Sequence, residues 1–217
     1  MADIKAYRPE SSSVGSGQVL QRPYDHAGGR LIVQEMTDLL VLDLVDKGLV
    51  TDQIVLTVGY DIENLIDSDR RRAYRGPVVT DHFGRQKPKH AHGSVNLECQ
   101  TSSTRRIMAA VLGLYDRIVD PALLVRRVNL AANHVMPERE VRSLKAECEQ
   151  MSLFVDYEAE EQRRREEEAE LAKERKIQQA VLDIKKKHGK SAILKGMNLQ
   201  EGAMTRERNN QIGGHKA

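Results

Sequence analysis

The spacing of apolar residues changes several times between positions 18 and 135, and these changes restrict the fold more than any other feature. Ile54, Leu56, Val58 and Tyr60 alternate with their neighbours, which is the period-two pattern of a β-strand. From Arg30 to Lys47 the apolar residues instead recur at helical spacing. In chain order, the patterns predict strands at about 18–22, 51–60, 93–100 and 123–135, with helices at about 30–47 and 105–119.

This order of strand, helix, strand, strand, helix and strand predicts an α+β fold. Two helices packed on one face of a four-stranded antiparallel sheet form a two-layer domain around one core. The opposite face of the sheet carries small and polar residues, so it is either solvated or used for binding. On the first helix, acidic residues mark the side that we expect to face solvent: Glu35, Asp38, Asp43 and Asp46.

Composition excludes several classes of protein. The chain has 217 residues, enough for one domain and an extension. Its 34 Lys and Arg nearly balance its 32 Asp and Glu, so net charge does not indicate a nucleic-acid partner. Cys99 and Cys148 lack metal-ligand spacing and are typical of reduced thiols in the cytoplasm. No apolar run approaches the roughly 20 residues of a membrane span, and no signal peptide is evident, so we expect a cytoplasmic protein without a membrane partner.

Motifs for catalysis and metal binding are incomplete. Gly189-Lys190-Ser191 ends like a phosphate-binding loop, but Ile184 stands where that loop requires glycine. His82, His90 and His92 are close in sequence, yet no cysteine or carboxylate pair nearby completes a metal site. Two-metal nucleotidyl transfer needs clustered carboxylates, and the predicted strands offer the separate Asp61 and Glu98. We therefore expect no catalytic residues, no metal site and no cofactor in this chain.

A basic segment separates the second and third predicted strands, over about 62–92. Few acidic residues follow Asp69, and a connection of this length is uncommon without a function. Its positive charge predicts contact with a phosphate backbone, and a solvated loop is the alternative. The candidate DNA-binding residues are Arg70, Arg71, Arg72, Arg75, Arg85, Lys87 and Lys89.

The last eighty residues are organised differently. Residues 138–149 predict a short helix, 156–187 an exposed helix rich in opposite charges, and 191–217 a flexible tail. Between the two helices lie Gln150, Met151, Ser152, Leu153 and Phe154, which resemble the peptide by which bacterial replication proteins dock on the sliding clamp. The two large apolar side chains suit a pocket, and the glutamine amide suits directional hydrogen bonds. The alternative is an apolar run that folds back on the domain.

Several long stretches together resemble the C-terminal part of a Y-family (UmuC-like) translesion DNA polymerase, of the type found in Gram-positive bacteria and their mobile elements. The matching ranges are spread over nearly the whole length of the chain: 4–20, 35–49, 93–108, 125–135 and 192–217. The resemblance implies a little-finger fold, with β-α-β-β-α-β order, that lies in the major groove of primer–template duplex and contacts its phosphates. It adds Arg126, Arg127 and Asn129 to the DNA-binding candidates. Adjacent strand residues point to opposite faces, so one of the two arginines is expected to face DNA.

The resemblance also divides the chain and sets its role in DNA repair and the SOS response. Residues 1–17 are expected to be a flexible lead from a missing thumb, 18–137 the DNA-binding little finger, and 138–217 an extension with the clamp peptide, charged helix and flexible tail. The palm, which holds the metal-binding acids and uses Mg²⁺ and deoxynucleotides in whole polymerases, is absent. The chain alone is therefore expected not to be an enzyme. The alternative is a stand-alone module that binds the clamp or a repair regulator, encoded without a polymerase core upstream in its reading frame.

Overall fold

The fold is a four-stranded antiparallel sheet with two long helices on one face. The structure, a computed structural model, describes residues 12–145, 157–212 and 215–216. The main elements are β1 (Val14–Tyr24), α1 (His26–Asp46), β2 (Leu49–Tyr60), β5 (Ala91–Thr101), α4 (Thr104–Ile118) and β6 (Val125–Asn133). The strands lie in the order β1-β6-β2-β5, and every adjacent pair is antiparallel. The predicted fold class and element order are confirmed.

The core lies between this sheet and the two helices. Ile54, Leu56 and Val58 of β2 are fully buried, and they face the buried Val111 and Tyr115 of α4 in one apolar cluster. The helix α1 begins at His26, four residues earlier than predicted, because Asp25 caps it by accepting a 2.8 Å hydrogen bond from the amide of Gly28. At its other end Gly48 adopts a φ of +66°, which agrees with the predicted glycine stop.

The first strand begins earlier than the sequence predicts. Residues 14–17 were expected to belong to a flexible lead, but they pair with β6, from Val14 opposite Ala132 to Gly17 opposite Asn129. The apolar alternation is hidden there because Gly15, Ser16 and Gly17 have little or no side chain. The flexible lead is therefore wrong for these four residues, whereas residues 1–11 lie outside the described ranges.

The basic segment between β2 and β5 is more ordered than a loop. It contains α2 (Glu63–Ile66), α3 (Ser68–Ala73) and a hairpin of β3 (Val78–Thr80) with β4 (Gln86–Pro88). Asn64 fixes the start of the segment: its side chain is fully buried, donates to the carbonyl oxygens of Asp61 and Leu124, and accepts from the Leu124 amide. The segment is thereby anchored to the sheet.

The C-terminal extension packs on the helical side of the domain. After β7 (Met136–Pro137), which pairs with the start of β2, come α5 (Glu138–Lys145) and the 32-residue α6 (Tyr157–His188). A turn of 3-10 helix (Gly196–Leu199), α7 (Thr205–Asn209) and the two-residue strands β8 (Gln211–Ile212) and β9 (His215–Lys216) follow. The prediction of a flexible tail is wrong for residues 196–209, because the acidic side of α1 supplies partners for them.

Those partners are two acids that the sequence placed on the solvent side. Glu35 is 1% exposed, and its carboxylate accepts hydrogen bonds from the side chain of Asn198 (2.9 Å) and the amides of Met204 (2.7 Å) and Thr205 (3.2 Å). Asp38 is 7% exposed and pairs with Lys195. The prediction that the acidic side of α1 faces solvent is therefore wrong for Glu35 and Asp38, because residues of the C-terminal tail cover both side chains.

Candidate nucleic-acid interface

The face of the sheet that carries no helix is built from small and polar side chains. Strand registers place Asn129 of β6 between Gly17 of β1 and Thr57 of β2, while Thr57 lies opposite His92 of β5. The next residues on this face repeat the pattern: Gly15, Ala131, Val55 and Ser94. We call this surface the open face. None of these residues except Val55 carries a large apolar side chain, so the face is suited to a polar partner.

Two glycines make a shallow hollow in the open face. A Cβ atom on Gly17 would collide with Oδ1 of Asn129, and one on Gly15 would lie 3.0 Å from the Leu130 carbonyl oxygen. Without those side chains, a hollow of about 280 Å³ lies between β1, β6 and β2. Its polar groups include the Asn129 amide and the Thr57 hydroxyl. The backbone of a partner can therefore approach β6 closely at this point.

Only one of the two adjacent arginines of β6 lies on the open face. Arg127 is exposed there, between Val19 of β1 and Gly59 of β2. Arg126 instead donates to the carbonyl oxygen of Gln21 (3.1 Å) and pairs with Asp61 at 3.6 Å. The register of both neighbouring strands shifts beside these arginines, as expected at a β-bulge.

The short helix α3 presents a row of cations next to this end of the sheet. Arg70, Arg71 and Arg72 lie in its last turn and are exposed, and Arg75 is exposed just beyond it. Their contacts within the protein are weak: Arg72 is 3.9 Å from Asp69, and Arg71 donates to the Leu65 carbonyl oxygen at 3.4 Å. Guanidinium groups held this loosely are available to phosphate oxygens.

The other predicted cations lie on the β3–β4 hairpin and its exit. Arg85 is exposed and pairs with Asp81 at 2.8 Å, Lys87 is half-buried and Lys89 is exposed. The hairpin leads directly into β5, where His92 reaches the open face and its Nδ1 lies 2.8 Å from the Thr57 hydroxyl. The segments that carry the predicted cations of α3 and the hairpin thus connect the ends of β2 and β5 that lie nearest Arg127. Phe83, exposed at the hairpin tip, is not among the residues predicted from the sequence, although its place between Asp81 and Gly84 is typical of a turn.

The predicted clamp peptide, Gln150 to Phe154, lies outside the described residues. Its flanking helices are described: α5 ends at Lys145 and α6 begins at Tyr157. Arg175 of α6 pairs with Glu138 at the start of α5, so both flanks are tied to the same part of the domain.

Comparison with known proteins identifies the domain. Residues 11–146 match the impB/mucB/samB family C-terminal domain.

The chain belongs to this family.

It is the family that the sequence resemblance indicated, that of the Y-family translesion polymerases, whereas the Gram-positive type stays a prediction. The matched range of the impB/mucB/samB domain includes the open face, α3 and the hairpin, and it ends before Gln150. Among solved structures, the chain is similar to a complex of beta-clamp processivity factor and little finger domain of PolIV, with 12% identity, 66% of this chain and 100% of that chain covered, and a TM-score of 0.36. No curated protein matches the sequence.

Two further observations concern metals and membranes. Across residues 12–145, 157–212 and 215–216, no group of three or more His, Cys, Asp and Glu side chains is arranged to hold a metal ion. The rings of His90 and His92 are 6.4 Å apart, at nearly a right angle. In the same described ranges, no helix is both long and apolar enough to cross a membrane.

Proposed function

We propose that this domain grips primer–template duplex DNA through its phosphate backbone, beside the active site of a translesion polymerase. The observation that carries the proposal is the open face, where Asn129 lines a hollow, Arg127 is exposed, and the chain segments that carry the cations of α3 and the hairpin adjoin one end. Contacts with phosphates position a protein without reading sequence. Such binding suits a polymerase that must accept damaged templates.

The catalytic core belongs, in this proposal, to the same protein. The core would supply the carboxylates that bind Mg²⁺ and the site for deoxynucleotides, so that the whole protein is a DNA-directed DNA polymerase. The reading frame upstream of residue 1 tests this part directly. A palm-encoding sequence in frame supports it, and a gene that begins at residue 1 contradicts it.

Salt dependence of DNA binding tests the backbone grip. A handful of phosphate contacts predicts a log–log slope of affinity against salt of magnitude about 3 to 6. Replacing Arg70, Arg71, Arg72 and Arg75 by alanine should weaken binding to duplexes of unrelated sequence equally and flatten the slope. Fluorescence anisotropy with a labelled duplex, at several salt concentrations, measures both quantities.

The matched control removes four positive charges from the opposite side of the molecule. Lys173, Lys176, Lys187 and Lys190 are exposed on α6 and just after it. Because α6 packs against α1 in the helical layer, their replacement by alanine should change the slope much less. An equal change in both variants would mean that net charge, and not this surface, determines binding.

The second part of the proposal is that Gln150 to Phe154 dock on the bacterial sliding clamp. Leu153 and Phe154 would fill an apolar pocket, and Gln150 would hydrogen-bond at its edge. The supporting observation is the position of the segment between two helices anchored to one domain.

A further inference from the structure

The tip of the β3–β4 hairpin is held in one conformation by Asp81. Its carboxylate accepts hydrogen bonds from the amides of Phe83 and Arg85, both at 3.0 Å, and from Nε of Arg85 at 2.9 Å. These bonds, first the amide and then the side chain of Arg85, lower the pKa of Asp81 to about 2, so the carboxylate is ionised at neutral pH. Gly84 completes the turn with a φ of +77°.

This rigid tip presents an aromatic ring to solvent. Phe83 is 68% exposed, and among the described residues it has two ring contacts: the His82 ring, at 3.6 Å between centroids, and the Arg85 guanidinium, 5.0 Å from its centroid. These contacts orient the ring without burying it. A phenylalanine left this exposed on an ordered turn is suited to a partner that supplies another flat apolar surface.

The surroundings of the tip favour nucleic acid as that partner. From residue 81 to residue 92, Asp81 is the one acidic residue and Arg85 neutralises it, while Lys87 and Lys89 add positive charge. The hairpin runs into β5 at His92, so it projects from the end of the open face where Arg127 lies opposite Gly59. A strand that continues past this end of the sheet, from a duplex on the open face, would come near the tip.

We propose that Phe83 stacks on an unpaired base of a single-stranded DNA overhang that adjoins the bound duplex. The proposal rests on the proposed function, since the duplex places the overhang near the tip. Aromatic side chains beside cations are the usual platform for single-stranded nucleic acid, because every base offers a π-face. Bases inside a duplex are already stacked on each other, so a side chain can stack on them only by unstacking a base step, whereas an unpaired base offers its face without that cost.

Three DNA ligands separate stacking from charge attraction: a blunt duplex, the same duplex with a single-stranded overhang, and the duplex with an equally long abasic overhang. The two overhangs have the same phosphates, but only the normal overhang carries bases. The unmodified protein should therefore prefer the normal overhang to the abasic one. Phe83→Ala should lower affinity for the normal overhang by about fivefold or more, as expected for loss of one stacked base. The Phe83→Ala variant should bind the other two ligands with the affinity of the unmodified protein. The Phe83→Trp variant, which keeps an aromatic ring, should still prefer the normal overhang to the abasic one.

Leu199→Ala is the matched control, because Leu199 is 67% exposed but lies in the tail that packs on α1. It should bind all three ligands like the unmodified protein. Equal loss by Phe83→Ala on all ligands, or no loss on any, overturns the stacking proposal, while tight binding of the blunt duplex then still supports the proposed function. Conversely, failure of the unmodified protein to bind the blunt duplex overturns the proposed function. A Phe83-dependent preference for the normal overhang would support stacking by Phe83 even in that case.

Discussion

At the residue scale, the adjacent Arg126 and Arg127 of β6 have the same side chain but different surroundings, beside a shift in strand register. Strict alternation makes adjacent strand residues point to opposite faces. Here Arg127 lies on the open face, and the register shift beside it leaves Arg126 near Asp61, which is 6% exposed. Arg126 therefore has an internal ionic partner, whereas Arg127 is exposed toward any ligand on the open face.

We expect Arg127→Ala to weaken duplex binding and to reduce the salt slope by about 1, as for loss of one phosphate contact. Arg126→Ala is the matched variant. It should leave the slope unchanged and should cost about 1–3 kcal/mol of folding stability, because the nearly buried Asp61 carboxylate loses its charged partner. Anisotropy titrations and melting curves on both proteins measure these effects. A flatter slope for Arg126→Ala than for Arg127→Ala would reverse the assignment of the two residues.

At the element scale, α1 is buried on two sides. The core packs on its apolar side, and the tail packs on its acidic side through Glu35 and Asp38. Arg208 of α7 also lies near Glu35, and burial lowers the pKa of its guanidinium while the Glu35 carboxylate opposes that shift. A buried carboxylate that accepts two backbone amides and a side-chain amide acts as an anchor, because each donor would otherwise be buried without a partner.

Glu35→Ala should therefore release the tail and leave the sheet folded. Each buried donor that loses its acceptor costs about 1–3 kcal/mol while the tail stays packed. Detachment of the tail lets these donors bond to water, so local opening is the expected response. Hydrogen exchange should become fast at the amides of Met204 and Thr205 and stay slow in β2. Asp43→Ala, which removes an exposed pair with Lys47 on the same helix, is the control and should leave tail protection unchanged. Retained protection in Glu35→Ala would show that other contacts hold the tail.

The sequence predicts those elements in which the spacing of apolar residues shows which side faces the core. Strand β2 and helix α4 show clear periods because one side of each meets the core and the other meets solvent or the open face. The period fails where a distant segment supplies the environment, as for Glu35, which is buried only because residues 196–205 return to α1. It also fails in β1, where Gly15 and Gly17 carry no side chain to alternate. The cations of the candidate interface could be predicted from the sequence alone. Phe83 could not, because its exposure depends on the hydrogen-bonded turn around it.

At the scale of the whole molecule, the hairpin and α5 adjoin opposite ends of β2. The hairpin and His92 lie beside Thr57, while β7, which leads into α5, pairs with Leu49 and Val50 at the start of β2. Seven residues of strand separate Val50 from Thr57, which corresponds to roughly 23 Å. This distance leaves α5 outside the proposed DNA contacts.

The double substitution Leu153→Ala with Phe154→Ala should accordingly separate the two activities. Truncating an apolar anchor in a pocket typically costs about 2 kcal/mol or more, so affinity for the bacterial sliding clamp should fall at least about tenfold. Duplex affinity and its salt slope should stay the same, because neither side chain is charged and neither belongs to the proposed DNA contacts. If these side chains instead pack on the domain itself, the unmodified protein should not bind clamp and the variant should melt at a lower temperature. Clamp titrations and a melting curve for each protein therefore distinguish a docking peptide from a piece of the core.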